Sequence, residues 1–189
     1  LTEPGRIIFT GNMSYYPNAD GAKFLAERIF PLIKRRAPQA KLYIVGQQPP
    51  ASVRALARDD VTVTGFVKDL RAEYGRSAVA VSPIRFGAGT LNKILEPLAM
   101  GVPVVATSHG VSGLELQPGS EILVADTPEQ FADHVVRLLT DEVARERIAT
   151  AATDRIRSRF NWDAVGRSLL ETYNNVVTET RRVPAPAQE

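Results

Sequence analysis

Six short, continuously apolar runs rich in β-branched residues recur along the chain, and segments with helical spacing separate them. A run without alternation between apolar and polar positions is typical of a parallel strand that is buried on both faces. Strands of this kind alternating with helices predict an α/β fold with a doubly wound parallel sheet of about six strands. The predicted strands are Arg6–Gly11, Lys41–Gly46, Val61–Gly65, Ala78–Pro83, Pro103–Thr107 and Glu121–Ala125.

Apolar stripes at helical spacing mark the segments between the strands. One of them, Ala19–Arg36, contains Pro31, which predicts a kink or a shorter helix. Thr127 and Gln130 form a capping box around Pro128, a residue type that favours the first position of a helix. The other predicted helices are Ser52–Arg58, Asp69–Arg76, Leu91–Met100, Asp141–Ser158 and Asp163–Thr180.

Composition and charge are those of an ordinary globular domain. The 189 residues include 23 Lys and Arg against 21 Asp and Glu, and the net charge of +2 gives no indication of a nucleic-acid partner. Cysteine is absent, which excludes disulfides, cysteine–zinc sites and thiol nucleophiles. No apolar run approaches the roughly 18–20 residues of a membrane span. We therefore expect a soluble, cytoplasmic domain.

The two ends of the chain differ in character from its centre. Residues 1–180 are predicted to form one Rossmann-like domain, whereas residues 181–189 form a charged, Pro- and Ala-rich tail that we expect to be disordered. Leu1 is not a natural first residue, so the chain is expected to be a piece of a longer protein.

The stretch from Ser82 to Gly101 is the most informative for function, because ligands of such sheets bind at the carboxyl ends of the strands. Its turn Gly87-Ala88-Gly89 precedes Thr90, which can cap the following helix. Backbone N–H groups at a helix start suit a phosphate or a sugar hydroxyl. Lys93 and Glu96 lie one turn apart on the helix and can hold the anionic and hydroxyl parts of a nucleotide. On the residues alone, a structural glycine turn with a surface salt bridge explains the stretch equally well.

Two common phosphate-binding motifs are excluded by the same stretch. The dinucleotide fingerprint requires a third glycine where Asn92 stands, so the fingerprint is incomplete. A P-loop requires the sequence G-K-[ST], which the chain does not contain.

Several other residues near the predicted strand ends are weaker candidates. Tyr15 and Tyr16 can stack on a sugar or a base, but packing explains a Tyr-Tyr-Pro loop at least as well. His109 follows the fifth strand, and we expect it to lack a partner. Trp162 is expected to anchor the last helix, whose apolar stripe consists of Trp162, Val165, Leu169, Tyr173 and Val176.

Four stretches of sequence occur in an order that is typical of one enzyme family. They are G-N-M-S-Y-Y-P-N-A-D-G, V-T-G-F-V-K-D-L, F-G-A-G-T-L-N-K-I-L-E-P-L-A-M-G-V-P-V-V-A-T-S with G-V-S-G-L after it, and a closing F-N-W. Over roughly Arg6–Val177, the chain resembles the C-terminal, donor-binding half of GT-B glycosyltransferases. It is most similar to the group 1 (family 4) retaining enzymes of bacterial polysaccharide synthesis.

The resemblance implies that the chain binds a UDP- or GDP-sugar donor without a metal or another cofactor. Glu96 matches the second acid of the family's E-x7-E motif, which grips the ribose hydroxyls. The first acid of that motif would fall at Ala88 and is missing. Its role toward the donor sugar then passes to backbone groups of Gly87, Ala88 and Gly89 or to Thr90.

The same resemblance assigns the remaining donor contacts. The family's basic pair for the diphosphate would fall at Asn12 and around Asn18, which leaves Lys93 and Arg85 as the expected catalytic cations. The other expected donor contacts are Gly11 and Asn12 after the first strand, and Gly65, Phe66 and Val67, a segment whose backbone lies along the base in the family.

The resemblance also implies partners for this half of the enzyme. The acceptor and most catalytic contacts would lie in an N-terminal domain that this chain lacks, so the chain alone is expected to be inactive. The closing helix crosses toward that domain in the family, so we expect part of its apolar stripe to be exposed or covered by a second copy. The full-length enzyme would lie in the cytoplasm or on the inner face of the membrane.

Two other functions remain open. One is a nucleotide-sugar epimerase of the same architecture. The other is a non-catalytic nucleotide-sugar-binding module, an alternative that the missing first acid and the missing basic residues after the first strand keep open.

Overall fold

Six parallel strands form one sheet in the order β3-β2-β1-β4-β5-β6 in a computed structural model that describes residues 2–87 and 92–182. From β1 the chain builds outward to β3, returns to the other side of β1 and builds outward again to β6. The order therefore reverses between β1 and β4. The predicted doubly wound sheet is confirmed. The strands are β1 (Arg6–Thr10), β2 (Lys41–Val45), β3 (Val61–Gly65), β4 (Val79–Ser82), β5 (Val104–Ala106) and β6 (Leu123–Val124).

Helices connect the strands and cover both faces of the sheet. Those before β4 are α1 (Tyr16–Phe24), α2 (Phe30–Arg36), α3 (Ala51–Arg54) and α4 (Leu70–Gly75). Those after β4 are α5 (Asn92–Ala99), α6 (Ser108–Val111), α7 (Pro128–Thr140), α8 (Glu142–Arg159) and α9 (Trp162–Arg182). Within the part of the chain that the structure describes, none of them combines the length and the apolarity that a membrane span requires.

The predicted helix around Pro31 is interrupted by a wider, π-helical turn. Leu25–Ile29 forms this turn between α1 and α2, and the backbone N–H of Phe30 bonds the Leu25 carbonyl five residues earlier. Proline has no N–H to donate to the preceding turn, so the α-helical ladder is disturbed just before it. Pro31 thus divides the predicted helix rather than ending it.

The central strand explains why the apolar runs do not alternate. Ile7, Ile8 and Phe9 are all fully buried, yet they belong to different layers. Ile7 and Phe9 pack on the side of α1, α2 and α7, whereas Ile8 packs on the side of α4 and α5. Successive side chains of a strand point to opposite faces, so a strand covered on both sides must be apolar at every position.

Helix α9 lies outside both layers, and the expectation that Trp162 anchors it is wrong. Trp162 is 90% exposed. Both faces of the sheet are already covered when the chain reaches α9, which contacts α8 and leaves its apolar stripe in solvent. The expectation of an exposed stripe is confirmed, with exposures from 50% to 64% for Val165, Leu169, Tyr173 and Val176. Its coverage by another domain or a second copy stays a prediction.

The ends of β1 and β2 meet at two glycines. A Cβ on Gly46 would stand 1.7 Å from the Gly11 carbonyl oxygen, and a Cβ on Gly11 would stand 2.8 Å from Nδ2 of Asn18. Gly46 also has φ of +150°, which side chains rarely adopt. The close approach of the two loops therefore requires glycine at this edge of the sheet.

Replacing Gly46 by alanine is expected to lower the free energy of unfolding by about 3 kcal/mol, because the added methyl group must push the two loops apart. Gly75→Ala is the matched control, since a Cβ there meets no atom within 4 Å. Urea unfolding of the two variants and the parent chain measures the difference. Equal midpoints for the two variants would contradict this account of the loop contact.

Candidate functional site

A cleft of about 610 Å³ opens at the carboxyl ends of β1 and β2, beside the reversal of strand order. This is where ligands bind in doubly wound sheets. Its walls come from the loops after β1, β2 and β3 and from the first turns of α5. Six of the donor contacts predicted from the sequence line it, namely Gly11, Asn12, Phe66, Val67, Lys93 and Glu96. Tyr15, one of the weaker candidates, also lines it, whereas Tyr16 does not.

Backbone hydrogen bonds join the three loops into one wall. The N–H of Gly11 donates to the Val45 carbonyl at 3.0 Å, and the N–H of Gly46 donates to the Gly65 carbonyl at 3.1 Å. Gly65 thus lies behind the wall, while Phe66, which is 74% exposed, faces solvent at the cleft. An exposed aromatic ring on a cleft is suited to stacking against a planar base.

Lys93 supplies positive charge from α5. Its ammonium group donates to Oδ1 of Asn18, a buried side chain whose Nδ2 donates in turn to the Asn12 carbonyl at 2.8 Å. The Lys93 Nζ also lies 5.6 Å from the centre of the Phe9 ring. Burial lowers the pKa of Lys93 to about 8, because the charged form loses hydration there. Such a poorly hydrated ammonium attracts an anion strongly.

Glu96 supplies the carboxylate of the same cleft, and a buried tyrosine holds it. The hydroxyl of Tyr74 in α4 donates to Oε2 of Glu96 at 3.3 Å. The same hydroxyl lies 2.8 Å from Oγ1 of Thr10 at the end of β1. The alternative from the sequence, a surface salt bridge between Lys93 and Glu96, is not found among the ion pairs of the described residues. The ammonium group contacts α1 and the carboxylate contacts α4 instead.

The structure separates Arg85 from this cleft. Its guanidinium pairs with the Asp20 carboxylate at 2.8 Å and lies 4.5 Å from the centre of the Phe24 ring. It lines another cavity, of about 910 Å³, together with other side chains of α1. The sequence places Arg85 after β4 but does not specify the side of α1 to which its side chain turns.

The glycine turn after β4 is described only at its first residue. Gly87 has φ of +98°, and a Cβ there would stand 2.6 Å from the Pro17 ring, so Gly87 packs against the first turn of α1. The predicted contacts at Ala88, Gly89 and Thr90 lie outside the described residues.

The expectation that His109 lacks a partner is wrong. Its Nε2 lies 2.7 Å from the Gly87 carbonyl oxygen. This contact joins α6, the short helix after β5, to the first residue of the glycine turn after β4. The sequence gives no signal for it, because the two residues belong to segments that follow different strands.

Sequence reasoning missed two groups of residues in this site. Gly46 and Gln47 line the cleft after β2. The carboxyl ends of parallel strands lie at the same edge of a sheet, so these two residues could have been predicted from their position after the second strand. Thr10 ends β1 and has the same signal. Tyr74 has none, because its pattern is that of a core residue in a short helix.

The described part of the cleft is suited to a nucleotide. Among the described lining residues Lys93 is the only cation, Glu96 is the only carboxylate and Phe66 adds an aromatic face. Within residues 2–87 and 92–182, no group of three or more His, Asp and Glu side chains could hold a metal ion.

Comparison with known proteins identifies the family. A family model described as "Glycosyl transferases group 1" matches residues 4–141. A GDP-mannose-dependent alpha-(1-6)-phosphatidylinositol monomannoside mannosyltransferase of Mycobacterium tuberculosis is 32% identical over 157 residues, which are 75% of this chain and 41% of the relative. The chain spans less than half the length of the curated relatives it matches, with 45%, 33% and 40% for three of them.

Solved structures share the fold at low sequence identity. A mutant of S. aureus TarM in complex with fondaparinux, alpha-GlcNAc-glycerol and UDP has a TM-score of 0.75 at 17% identity, over 93% of this chain and 36% of TarM. The C-terminal domain of the glycosyl transferase group 1 family protein LpcC from Francisella tularensis has a TM-score of 0.63 at 17% identity. That comparison covers 85% of this chain and 88% of the LpcC domain.

Lys93→Met is expected to remove a pH-dependent part of the folding stability. The pKa of Lys93 is 10.5 in its ordinary state and about 8 in the fold, so between these values the unfolded chain holds a proton that the folded chain has released. Between pH 8 and pH 10.5 the free energy of unfolding of the parent chain therefore rises relative to that of the variant. Below about pH 8 the difference between the two free energies stays constant. Urea unfolding of both proteins at about pH 7 and about pH 10 tests this. If the difference in free energy of unfolding between the parent and the variant were the same at both pH values, the burial of this ammonium group would be contradicted.

Proposed function

Because this chain belongs to the group 1 glycosyl transferase family, we propose that it is the donor-binding half of a retaining, metal-independent glycosyltransferase. In this proposal the cleft takes a UDP- or GDP-sugar. The enzyme then makes a bacterial polysaccharide or glycoconjugate. The rest of it, with the acceptor site, is an N-terminal domain.

The observation that carries the proposal is the position of Lys93 and Glu96 on the wall of one cleft, each held by its own partner. A nucleotide-sugar offers a diphosphate and a ribose with two neighbouring hydroxyls. The Lys93 ammonium attracts the diphosphate, and the Glu96 carboxylate accepts hydrogen bonds from the ribose. The base then extends along Phe66 and Val67, where the exposed ring of Phe66 can stack on it.

Lys93 occupies the role that the family gives to basic residues after the first strand. Those positions hold Asn12 and Asn18 here, and Asn18 contacts the Lys93 ammonium. We infer that the positive charge comes from α5 and reaches the diphosphate between these two asparagines. As the sugar leaves, this ammonium and backbone N–H groups stabilise the charge on the diphosphate. We assign no donor contact to Arg85, because Asp20 holds it beside another cavity.

Two relatives support a nucleotide-sugar donor, and they differ in the nucleotide. The mycobacterial mannosyltransferase is GDP-mannose-dependent, and the TarM mutant was crystallised with UDP. The base end of our cleft is the part that distinguishes the two nucleotides. UDP and GDP are therefore both ligands to test.

Glu96→Gln is expected to weaken the binding of UDP or GDP by roughly tenfold or more, since hydrogen bonds to a carboxylate are each worth about 1.5–3 kcal/mol. Isothermal titration calorimetry on the 189-residue chain measures both nucleotides. Glu146→Gln, an exposed carboxylate of α8 away from the cleft, is the matched control and should bind like the parent chain. Equal affinities in parent and Glu96→Gln chains would mean that the carboxylate does not contact the nucleotide.

The 189-residue chain alone is not expected to transfer sugar, whereas the full-length enzyme should do so with retention of configuration and in the presence of EDTA. Holding acceptor against donor is worth roughly 7–11 kcal/mol of the barrier, and the acceptor domain supplies it. Product analysis by NMR on both proteins tests this. A full-length protein that binds nucleotide without transfer would favour the non-catalytic module. An interconversion of free nucleotide-sugars would favour the epimerase.

A further inference from the structure

A buried tyrosine hydroxyl lies directly behind the Glu96 carboxylate. The Tyr74 side chain is 2% exposed and packs among the apolar residues between the sheet and α5, including Ile8, Val45 and Ile94. Only its hydroxyl is polar, and that group lies between Thr10 at 2.8 Å and Glu96 at 3.3 Å. The three side chains come from β1, α4 and α5, so the contact joins three separate elements at the base of the cleft.

The protons in this chain of contacts can be assigned by counting donors. An ionised carboxylate only accepts, so the Tyr74 hydroxyl donates to Oε2 of Glu96. The Tyr74 oxygen is then left to accept from the Thr10 hydroxyl, which has one proton to donate. Each proton is used once. This contact uses one lone pair of Oε2, and Glu96 lines the cleft, so its other lone pairs can accept from a ligand there.

We propose that Tyr74 is a positioning residue that fixes the Glu96 carboxylate and thereby makes the cleft select nucleotides with intact ribose hydroxyls. This inference rests on the proposed function, since it assigns the same carboxylate to the ribose. Tyr74 itself does not touch the ligand. Its effect on binding passes through Glu96.

The position of Glu96 explains why such support matters. Glu96 is an exposed residue on α5, a helix of eight residues with Pro97 inside it, and a glutamate side chain at such a site samples several rotamers. A ribose held by two hydroxyls needs the carboxylate in one orientation. Tyr74 is locked by packing and by Thr10, so it offers a fixed donor to one oxygen of Glu96. The carboxylate is then oriented before the ligand arrives.

Tyr74→Phe removes the hydroxyl and keeps the buried ring. We expect the variant to bind UDP, or GDP if the parent chain prefers it, about three- to tenfold more weakly than the parent. The 2′,3′-dideoxy analogue of the same nucleotide has no hydroxyls for Glu96, and its affinity should change by less than about twofold. The parent chain should prefer the natural nucleotide to this analogue by about tenfold or more.

Tyr43→Phe is the matched control. Tyr43 is a half-buried tyrosine of β2 that packs against the same apolar cluster, but it does not line the cleft. Its ring lies under the Arg6 guanidinium at 3.6 Å. Loss of its hydroxyl should leave the affinity for both nucleotides unchanged. Thermal unfolding of the two variants is measured alongside binding, and both should remain folded.

A double variant separates positioning from general support of the fold. If Tyr74 acts through Glu96, then Tyr74→Phe in the Glu96→Gln chain should change nucleotide affinity by less than about twofold further. A merely structural effect of Tyr74 would persist in that background. A loss of nucleotide affinity on Tyr74→Phe that disappears when Glu96 is already replaced is a result that packing alone does not produce.

The outcomes distinguish this inference from the function on which it rests. Three results for Tyr74→Phe would overturn the positioning role alone: an unfolded chain, an equal loss of affinity for the natural nucleotide and its dideoxy analogue, or the same affinity as the parent. In each case the Glu96→Gln variant still tests the donor site. A parent chain that binds nucleotide without preferring the natural ribose would overturn the role of Glu96 together with that of Tyr74. Absence of nucleotide binding by the parent chain would overturn both the proposed function and this inference.

Discussion

Gly11 and Gly46 touch where β1 and β2 end, and the cleft depends on this contact. With a Cβ position only 1.7 Å from a carbonyl oxygen, no side chain fits at Gly46. The two loops therefore approach each other closely at a shared edge, and the hydrogen bond from the Gly46 N–H to the Gly65 carbonyl brings the loop after β3 to the same place. Asn18 fits against Gly11 in turn, which sets the start of α1 beside α5. A contact between two backbones thus fixes the relative positions of groups that are distant in sequence.

The charge of the cleft is arranged at some cost to the fold. Lys93 lies against Asn18 and near the face of the Phe9 ring, an environment poor in water that lowers the pKa of its ammonium group to about 8. In the proposed function an anionic diphosphate interacts with the Lys93 ammonium group and replaces the hydration that burial removes. The desolvation that destabilises the folded state therefore strengthens binding of the diphosphate. Polar groups at functional sites often oppose stability in this way.

The periodicity of the chain was sufficient for the architecture but not for the directions of particular side chains. Apolar runs such as Arg6–Gly11 predict buried parallel strands because both faces of the sheet are covered, and the structure confirms the fold with small changes at the strand ends. The side to which Arg85 turns, the contact of His109 with Gly87 and the exposure of Trp162 depend on packing between elements. No local pattern contains that information. Tyr74 is the hardest residue to predict, because the sequence around it indicates a core residue. Its proposed role depends only on its hydroxyl group.

Preorganisation differs between the two ends of the cleft. In the proposed function the ribose and the diphosphate lie beside Glu96 and Lys93. Each of these residues has a buried partner, Tyr74 and Asn18, so a ligand meets groups that are already oriented. At the base end, Phe66 is 74% exposed and offers a flat apolar face. A stacking face accepts any planar base, whereas fixed polar groups recognise one arrangement of hydroxyls and phosphates. In the proposed function these residues select a ribonucleoside diphosphate as a class, and the choice between uracil and guanine comes from contacts that stacking does not supply.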